Sequence, residues 1–457
     1  EQELVVAVSD PTDASFQPRG KQIRDPHGIW YTPTTGIWQT VWLEPVPTSA
    51  IHSARTYLDR PDGDVLVMVM ANRTKGSEKI RITVSDEGKP LVTLTGTGVN
   101  FSFPIKDAKL WTPDAPFLYD LKVELFDGDK TIDSVSSYFG MRTVTLGKDD
   151  NDVTRIMLNG KFLFQHGPLD QGFWPDGLYT APSDEAMKYD IEVTKKLGFN
   201  MARKHVKVEP DRWYYWCDKL GLLVWQDMPS GDKFIGGNDP DIKRTPESTA
   251  QFEREWSAII RSLINHPSIV MWVPFNEGWG QFDTARIVDF TRKLDATRLV
   301  DSASGWTDRG VGDVHDIHMY PGPGMPKLEE KRAAVLGEYG GLGLPVRGHT
   351  WQDEKNWGYR TFETSEALTD AYVLLTRQLH PLIGKGLSAA VYTQTTDVEI
   401  EVNGLMTYDR AKIKMDADRI TAANRRLFHP PPIIKTIVPS SQQDAQTWRF
   451  TTDKPAD

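Results

Sequence analysis

The feature that most constrains the fold is a regular alternation that begins near residue 150. Eight short runs rich in apolar residues recur at 161–166 (KFLFQH), 199–204 (FNMARK), 221–227 (GLLVWQD), 269–275 (IVMWVPF), 298–301 (RLVD), 315–319 (HDIHM), 333–338 (AAVLGE) and 387–393 (LSAAVYT). Several are too apolar to leave one face in water, as parallel strands covered on both sides are. Helix signals lie between them. Ser183 with Asp184 and Glu185 opens one helix, and Gly198 closes it. Thr245-Pro246 opens another, in which Phe252, Trp256, Ile260 and Leu263 recur at three- to four-residue spacing. Eight such units predict a closed (β/α)8 TIM barrel over 148–423, which gathers functional side chains at the C-terminal ends of its strands.

Upstream, residues 47–147 read as an immunoglobulin-like β-sandwich. KIRITV and LKVELF alternate with period two, and DEGK and DGDK supply the turns. Residues 1–46 hold short β-like pieces too few to close a sheet, expected to be the C-terminal part of a larger β domain. Residues 424–457 read as a linker and the start of a further β segment. The expected organisation is therefore multidomain, β and α/β, cut at both ends from a longer polypeptide.

The formal charge of -10 excludes a basic nucleic-acid surface, and no run of eighteen apolar residues predicts a membrane span. Fifteen Trp suit either a large core or sugar stacking. The lone cysteine, Cys217, rules out an internal disulfide framework and reads as a buried thiol. The compartment stays open, with a periplasmic or secreted setting slightly favoured over the cytoplasm; a homo-oligomer is compatible with the sequence.

Two strings carry the chemistry. WVPFNEGWG places Asn276-Glu277, and VLGEYGG places Glu338, at the polar end of an apolar run followed by glycine. A carboxylate ending a buried strand is costly unless paired or used. Two of them on neighbouring strand ends fit cleavage of a glycosidic bond, one acid protonating the leaving oxygen while the other attacks or supports the sugar carbon. The charge of Glu338 is expected to raise the pKa of Glu277 and keep it protonated. Asp170 and Asp227, after the first and third runs, are candidates for holding sugar hydroxyls, and Trp174, Trp279 and Trp306 for stacking. His315 and His318 would face opposite sides of a strand and match no zinc pattern, so no metal or other cofactor is predicted. Asn159-Gly160 reads as a hairpin turn.

These residues resemble glycoside hydrolase family 2, the family of β-galactosidases, β-glucuronidases and β-mannosidases. GIWQTVWLEPVP is similar to the close of its sugar-binding jelly roll, LWTPDAPFLYDLKVELFD and YFGMRTV to its immunoglobulin-like domain, and HPSIVMWVPFNEGWG and VLGEYGG to its acid/base and nucleophile signatures. The resemblance implies that Glu277 is the general acid/base and Glu338 the nucleophile, that Asn276 holds the sugar 2-hydroxyl, and that Tyr320 and Arg203 attend the nucleophile. The chain departs from the pattern in Lys204-His205 after the arginine, which puts a sugar contact by His205 in doubt. It departs again in Tyr392-Thr393-Gln394 where a Trp floor is usual, making Gln394 the candidate there, and in Gly340-Gly341 after the nucleophile. Asn403-Gly404-Leu405 stands where family glucuronidases carry an Asn-x-Lys, against uronate specificity. The expected activity is that of a retaining, β-galactosidase-like exo-β-glycosidase acting on an oligo- or polysaccharide. The alternatives are a β-glucuronidase or other β-glycosidase trimming plant or algal polysaccharide, and a non-catalytic carbohydrate-binding protein.

Overall fold

The computed structural model describes residues 3–58 and 63–429. Seven antiparallel strands build the sandwich. Ala50–Tyr57, Val65–Asn72 and Asn100–Phe103 form one sheet; Lys89–Gly96, Lys79–Asp86, Tyr119–Asp127 and Lys130–Phe139 form the other. Alternate residues turn inward, so that Val65, Val67 and Val69 meet Ile80, Ile82, Val84, Leu121, Val123 and Leu125 in one core. At the Asp86–Lys89 hairpin, Glu87 and Gly88 both take positive φ, the backbone a two-residue turn requires.

The barrel strands, in chain order, are Gln165–Asp170, Met201–Lys204, Leu223–Asp227, Ile269–Val273, Leu299–Val300, Val314–Met319, Ala333–Gly340 and Leu387–Thr393, here called strands one to eight. Their parallel ladder runs from five through four, three, two, one, eight and seven to six. Five and six meet only by a bridge between Asp301 and Gly312, so the ring is nearly closed. Strand one lies later than its expected 161–166. Lys161–Phe162 instead pairs back on Thr154–Leu158 across the Asn159-Gly160 turn, as a hairpin with Val144–Lys148. Ile156 and Leu158 of this hairpin join Leu169, Met201, Leu223 and Val335 in the barrel core. Arg155 bonds the carbonyls of Ile383 and Leu387, where strand eight begins, so the hairpin plugs the N-terminal end. The helices start as anticipated: Ser183 caps Asp184–Lys196, accepting from the Ala186 amide, and Thr245 caps Pro246–Leu263, accepting from that of Ser248. Cys217 is buried, which pushes its thiol up.

Residues 3–49 form no ladder; their only pairings are isolated bridges. Arg19–Thr32 acts as a strap across the C-terminal mouth of the barrel. The Arg19 and Gly20 amides bond the Ser230 carbonyl beyond strand three, and Trp30 packs on Trp279 beyond strand four at 4.7 Å between ring centroids. Trp357 Nε1 donates to the Gly28 carbonyl, Tyr31 Oη to Glu401, and the Thr32 amide to Glu399, all beyond strands seven and eight. At the other terminus a helix, Ala417–Arg426, packs on the barrel. The expected β segment, 430–457, lies outside the described residues.

Candidate active site

Strand seven carries Glu338 directly, and the turn just beyond strand four carries Glu277. Glu277 takes a left-handed φ of 51° and Gly278 one of 80°. A side chain held in that region signals a constrained position, here one that aims a carboxylate across the mouth. Both acids are almost fully buried, at 8 % and 5 % exposure. One oxygen of Glu277, one of Glu338 and a ring nitrogen of His318 lie within 4.8 Å of one another.

Arg203, at the end of strand two, organises the floor. Its Nε and Nη2 form a bidentate pair with Asp227 (3.0 and 2.9 Å), Nη2 also reaches Asn276 Oδ1 (2.8 Å), and Nη1 reaches Glu338 Oε1 (3.3 Å) and Ser304 Oγ (2.7 Å). Asn276 Oδ1 is thereby occupied while its buried Nδ2 has no partner. That amide is poised to donate to a ligand hydroxyl, since an unmade buried bond is expensive. Tyr320 donates to Glu338 Oε2 at 2.6 Å and lies 2.7 Å from Thr393 Oγ1. Its ring stacks on Tyr359 at 3.8 Å. Burial and the adjacent Glu338 push the Tyr320 hydroxyl well above its ordinary range, so it stays a donor.

Burial alone would raise the Glu338 carboxyl, but the positive charge around it, His318 first, outweighs that and holds it well below the usual carboxylate range. Two imidazoles lie close. His205 sits 3.0 Å from Asp227 through Nδ1 and 3.9 Å from Glu338 through Nε2, and burial drives it far below its usual range. It is therefore neutral, and the ionised state of Glu338 rests on His318, Arg203 and Lys21. His318 Nδ1 lies 2.7 Å from Glu277 Oε1 and 3.6 Å from Glu338 Oε2. Burial opposes a charged His318, but these carboxylates raise its pKa above the ordinary value.

The structure thus brings Glu277, Glu338, Asn276, Arg203 and Tyr320 together, and shows what the other expected residues touch. Asp227, buried, accepts from Arg203 and from the Val206 amide, and His205 Nδ1 lies 3.0 Å from its Oδ2. Asp170 accepts from Lys204 Nζ (2.7 Å) and the Gly172 amide (2.9 Å). Gln394 is buried; its Nε2 donates to Asn403 Oδ1 (2.7 Å), while its Oε1 has no partner. Tyr392 turns into the core against Tyr339 and Tyr372. Trp306 stands half exposed at the rim, edge-on to His318. Trp174 is buried under Arg410. His205, doubted as a site residue, faces Glu338. Sequence reasoning missed His318 and Tyr359 as site residues. For His318 a signal existed, because it shares a strand face with Tyr320, two residues on.

Glu277, His318 and Glu338 offer one ligand atom each to a cation, but an ion there would take both carboxylates needed for glycoside chemistry. Asp308, His315 and Glu329 also converge, around Arg332, whose guanidinium already pairs with Asp308 (2.7 Å) and Glu329 (2.6 Å).

The pattern of "Glycosyl hydrolases family 2" matches residues 50–142, and that of "Glycosyl hydrolases family 2, TIM barrel domain" matches 153–340. A putative beta-glucuronidase of Formosa agariphila is 32 % identical over 77 % of this chain and 33 % of its own length. A beta-galactosidase of Lactococcus lactis is 29 % identical over 56 % of this chain and 27 % of its own. The chain spans about a third of the length of these relatives. Among solved structures, Parabacteroides merdae beta-glucuronidase superposes with TM-score 0.64 at 18 % identity, covering 86 % of this chain and 56 % of that one. An Eisenbergiella tayi beta-galacturonidase bound to galacturonate gives 0.62 at 18 % identity, covering 83 % and 73 %. These superpositions share the architecture of sandwich and parallel barrel described above. With both patterns aligned in order along its sandwich and barrel, the chain belongs to the glycosyl hydrolases family 2.

Proposed function

We propose that this chain carries the catalytic site of a retaining exo-β-glycosidase, β-galactosidase-like, that removes a terminal β-linked sugar from an oligo- or polysaccharide. The observation that carries the reading is the approach of Glu277 and Glu338 oxygens to within 4.8 Å across the barrel mouth. Retaining enzymes hold their carboxyls ~5–5.5 Å apart, whereas inverting ones leave ~6.5–9.5 Å for a water. Glu338, kept ionised, attacks the anomeric carbon; the bond to the leaving oxygen breaks as that oxygen takes a proton from Glu277. The resulting glycosyl ester is then cleaved by a water that gives its proton to Glu277. Tyr320 and Arg203 orient the attacking carboxylate, and Asn276 Nδ2 is free to meet the 2-hydroxyl. The strap across the barrel mouth supports exo action.

Glu338→Gln is expected to lower turnover of an activated aryl β-glycoside by about 10⁴-fold or more. Azide separates the two roles. Glu338→Ala should be rescued with formation of the α-glycosyl azide, because azide enters from the emptied face, and Glu277→Ala should yield the β-azide. Normal turnover by Glu338→Gln refutes the assignment.

A further inference from the structure

The acid and an aromatic ring share one turn. In Asn276-Glu277-Gly278-Trp279 the Trp279 amide donates to the Asn276 carbonyl at 2.9 Å, and both central residues take positive φ. This four-residue turn fixes Trp279 beside the backbone of Glu277. The loop beyond strand three is tied to it: the Ile235 amide donates to the Gly278 carbonyl at 3.1 Å and the Gly280 amide to that of Lys233 at 2.7 Å. Phe234 is thereby set opposite Trp279. Trp306 reaches the acid from the loop beyond strand five. Its ring centroid lies 5.7 Å from that of His318, whose Nδ1 is 2.7 Å from Glu277 Oε1. A Cβ on Gly237 would lie 3.1 Å from the Trp306 carbonyl, so the loop that bears Phe234 runs on to Trp306.

Between the turn, this loop and the strap lies a cavity with about 440 Å³ of free space, inside the ~300–1,000 Å³ range of small-ligand sites. Trp279, Phe234 and Trp30 give it aromatic walls, and Arg19 and Asp232 add one charge of each sign. Phe234 is 62 % exposed and Trp306 51 %, large apolar rings left in water beside the acid. The Nε of Arg19 is buried and, among the described residues, has no acceptor. An unmade buried bond is costly, and a ligand in the cavity can make it. Position decides which half of a substrate these groups meet. The acid protonates the oxygen of the departing half, so that half lies against Glu277, while the sugar retained on the enzyme lies against Glu338. The cavity borders the turn of Glu277.

We propose that the cavity of Trp279, Phe234, Trp30 and Arg19, together with Trp306, is the leaving-group subsite, and that it takes a pyranose unit of an oligo- or polysaccharide. The proposal rests on the glycosidase reading above and adds the residues that choose the second sugar. A pyranose lays an apolar C–H face on indole or phenyl rings and turns its hydroxyls to a guanidinium donor and a carboxylate acceptor. A plain aryl group matches only the rings. Trp30 and Arg19 come from the strap, so the strap is part of the subsite and not only its cover.

The test divides one intermediate between acceptors. The full-length protein is given whichever it cleaves fastest of 4-nitrophenyl β-galactoside, β-glucoside, β-mannoside and β-glucuronide, together with methanol and with glucose, galactose or xylose. In each transfer the acceptor hydroxyl oxygen bonds to the anomeric carbon, the bond to Glu338 breaks and leaves it a carboxylate, and Glu277 takes the hydroxyl proton. Methanol needs no subsite, whereas a sugar acceptor must bind in one. At least one of the three sugars is expected to be glycosylated. The molar ratio of that product to the methyl glycoside should fall about tenfold in Trp279→Ala and severalfold in Arg19→Met, with Trp279→Phe restoring part of it. Because both products arise from one glycosyl-enzyme, the ratio does not depend on the fraction of a variant that is folded. A ratio that holds in either Trp279→Ala or Arg19→Met overturns the proposal, as does methyl glycoside with no transfer to any sugar. These results leave the glycosidase reading standing, because methyl glycoside still reports turnover. Release of no 4-nitrophenol from any of the four substrates counts against both.

Discussion

Ser304 has one hydroxyl proton, and Asp316 Oδ2, 2.5 Å away, takes it. The same Oγ accepts from Arg203 Nη1 and lies 2.7 Å from His318 Nε2, so that ring nitrogen must be the donor. The other, Nδ1, lies 2.7 Å from Glu277 Oε1, and the negative charge of Glu338 and Glu277 raises the His318 pKa against its burial. His318 thus supports the ionisation of Glu338. We predict that His318→Asn lowers kcat/KM by roughly 10- to 100-fold, the worth of about 1.5–3 kcal/mol for a hydrogen bond to a charged group. With that positive charge gone, the lowered carboxyl of Glu338 rises, and the acidic limb of the pH–rate profile moves to higher pH. The sign for stability is opposite in direction. The folded His318 value is raised, so its contribution is complete below the ordinary value near 6.5 and lost as pH climbs through the folded value. Thermal unfolding of the wild type against His318→Asn across that range measures it. Equal acid limbs in the two proteins would remove His318 from this role.

At the scale of elements, the strap is where sequence and structure part most. The eight strands were legible because a barrel strand is buried on both faces and announces itself as an apolar run; Leu387–Thr393 falls at its expected ends. Glu277 and Glu338 were legible for the same reason, each closing such a run. Asp170 and Asp227 sit at similar ends, yet local pattern does not tell an acid aimed at a cavity from one aimed at a cation, and here Lys204 and Arg203 claimed them. Residues 3–49 carry no periodicity because they pair with no sheet. Their partners are loops hundreds of positions away, as Tyr31 and Glu401 are. The strap is instead held by close approach. A Cβ on Gly231 would collide with the Gln17 carbonyl, and one on Gly20 would come within 2.5 Å of the Val206 carbonyl. Gly231→Ala should therefore lift the strap off the mouth without touching the glutamates. We expect KM for an aryl glycoside to rise about tenfold, near 1.4 kcal/mol, with kcat changed little. Amide exchange at Arg19 and Gly20, bonded to Ser230, should accelerate in parallel. Unchanged KM together with accelerated exchange would show that the strap does not line the subsite.

Across the whole molecule, the sandwich is joined to the end of the barrel opposite the glutamates, and the join is built from specific buried groups. Trp111, in the LWTP stretch, is fully buried among barrel-core residues; its Nε1 donates to the Asp218 carbonyl at 2.8 Å, and its own carbonyl accepts from Asn159. Arg142 threads beneath strand four to the carbonyls of Pro267 (2.8 Å) and Ile269 (2.6 Å). Tyr138 of the sandwich and His266 share the carboxylate of Asp218, whose other oxygen accepts from the Ser268 amide. Such a junction couples the two units as one body, since separating them would leave these donors and acceptors unpaired in apolar surroundings. Trp111→Ala empties that junction and should destabilise the folded chain by about 3–5 kcal/mol, as truncation of a buried aromatic does. The loss should appear in sandwich and barrel together, as one cooperative transition shifted to lower denaturant when followed by both tryptophan fluorescence and far-ultraviolet circular dichroism. The folded fraction should keep its kcat/KM, because the substituted side chain packs at the plugged end of the ring. If the two probes separate, with the barrel signal holding its midpoint while the sandwich melts early, the interface does not couple them, and the sandwich is only tethered to the catalytic domain.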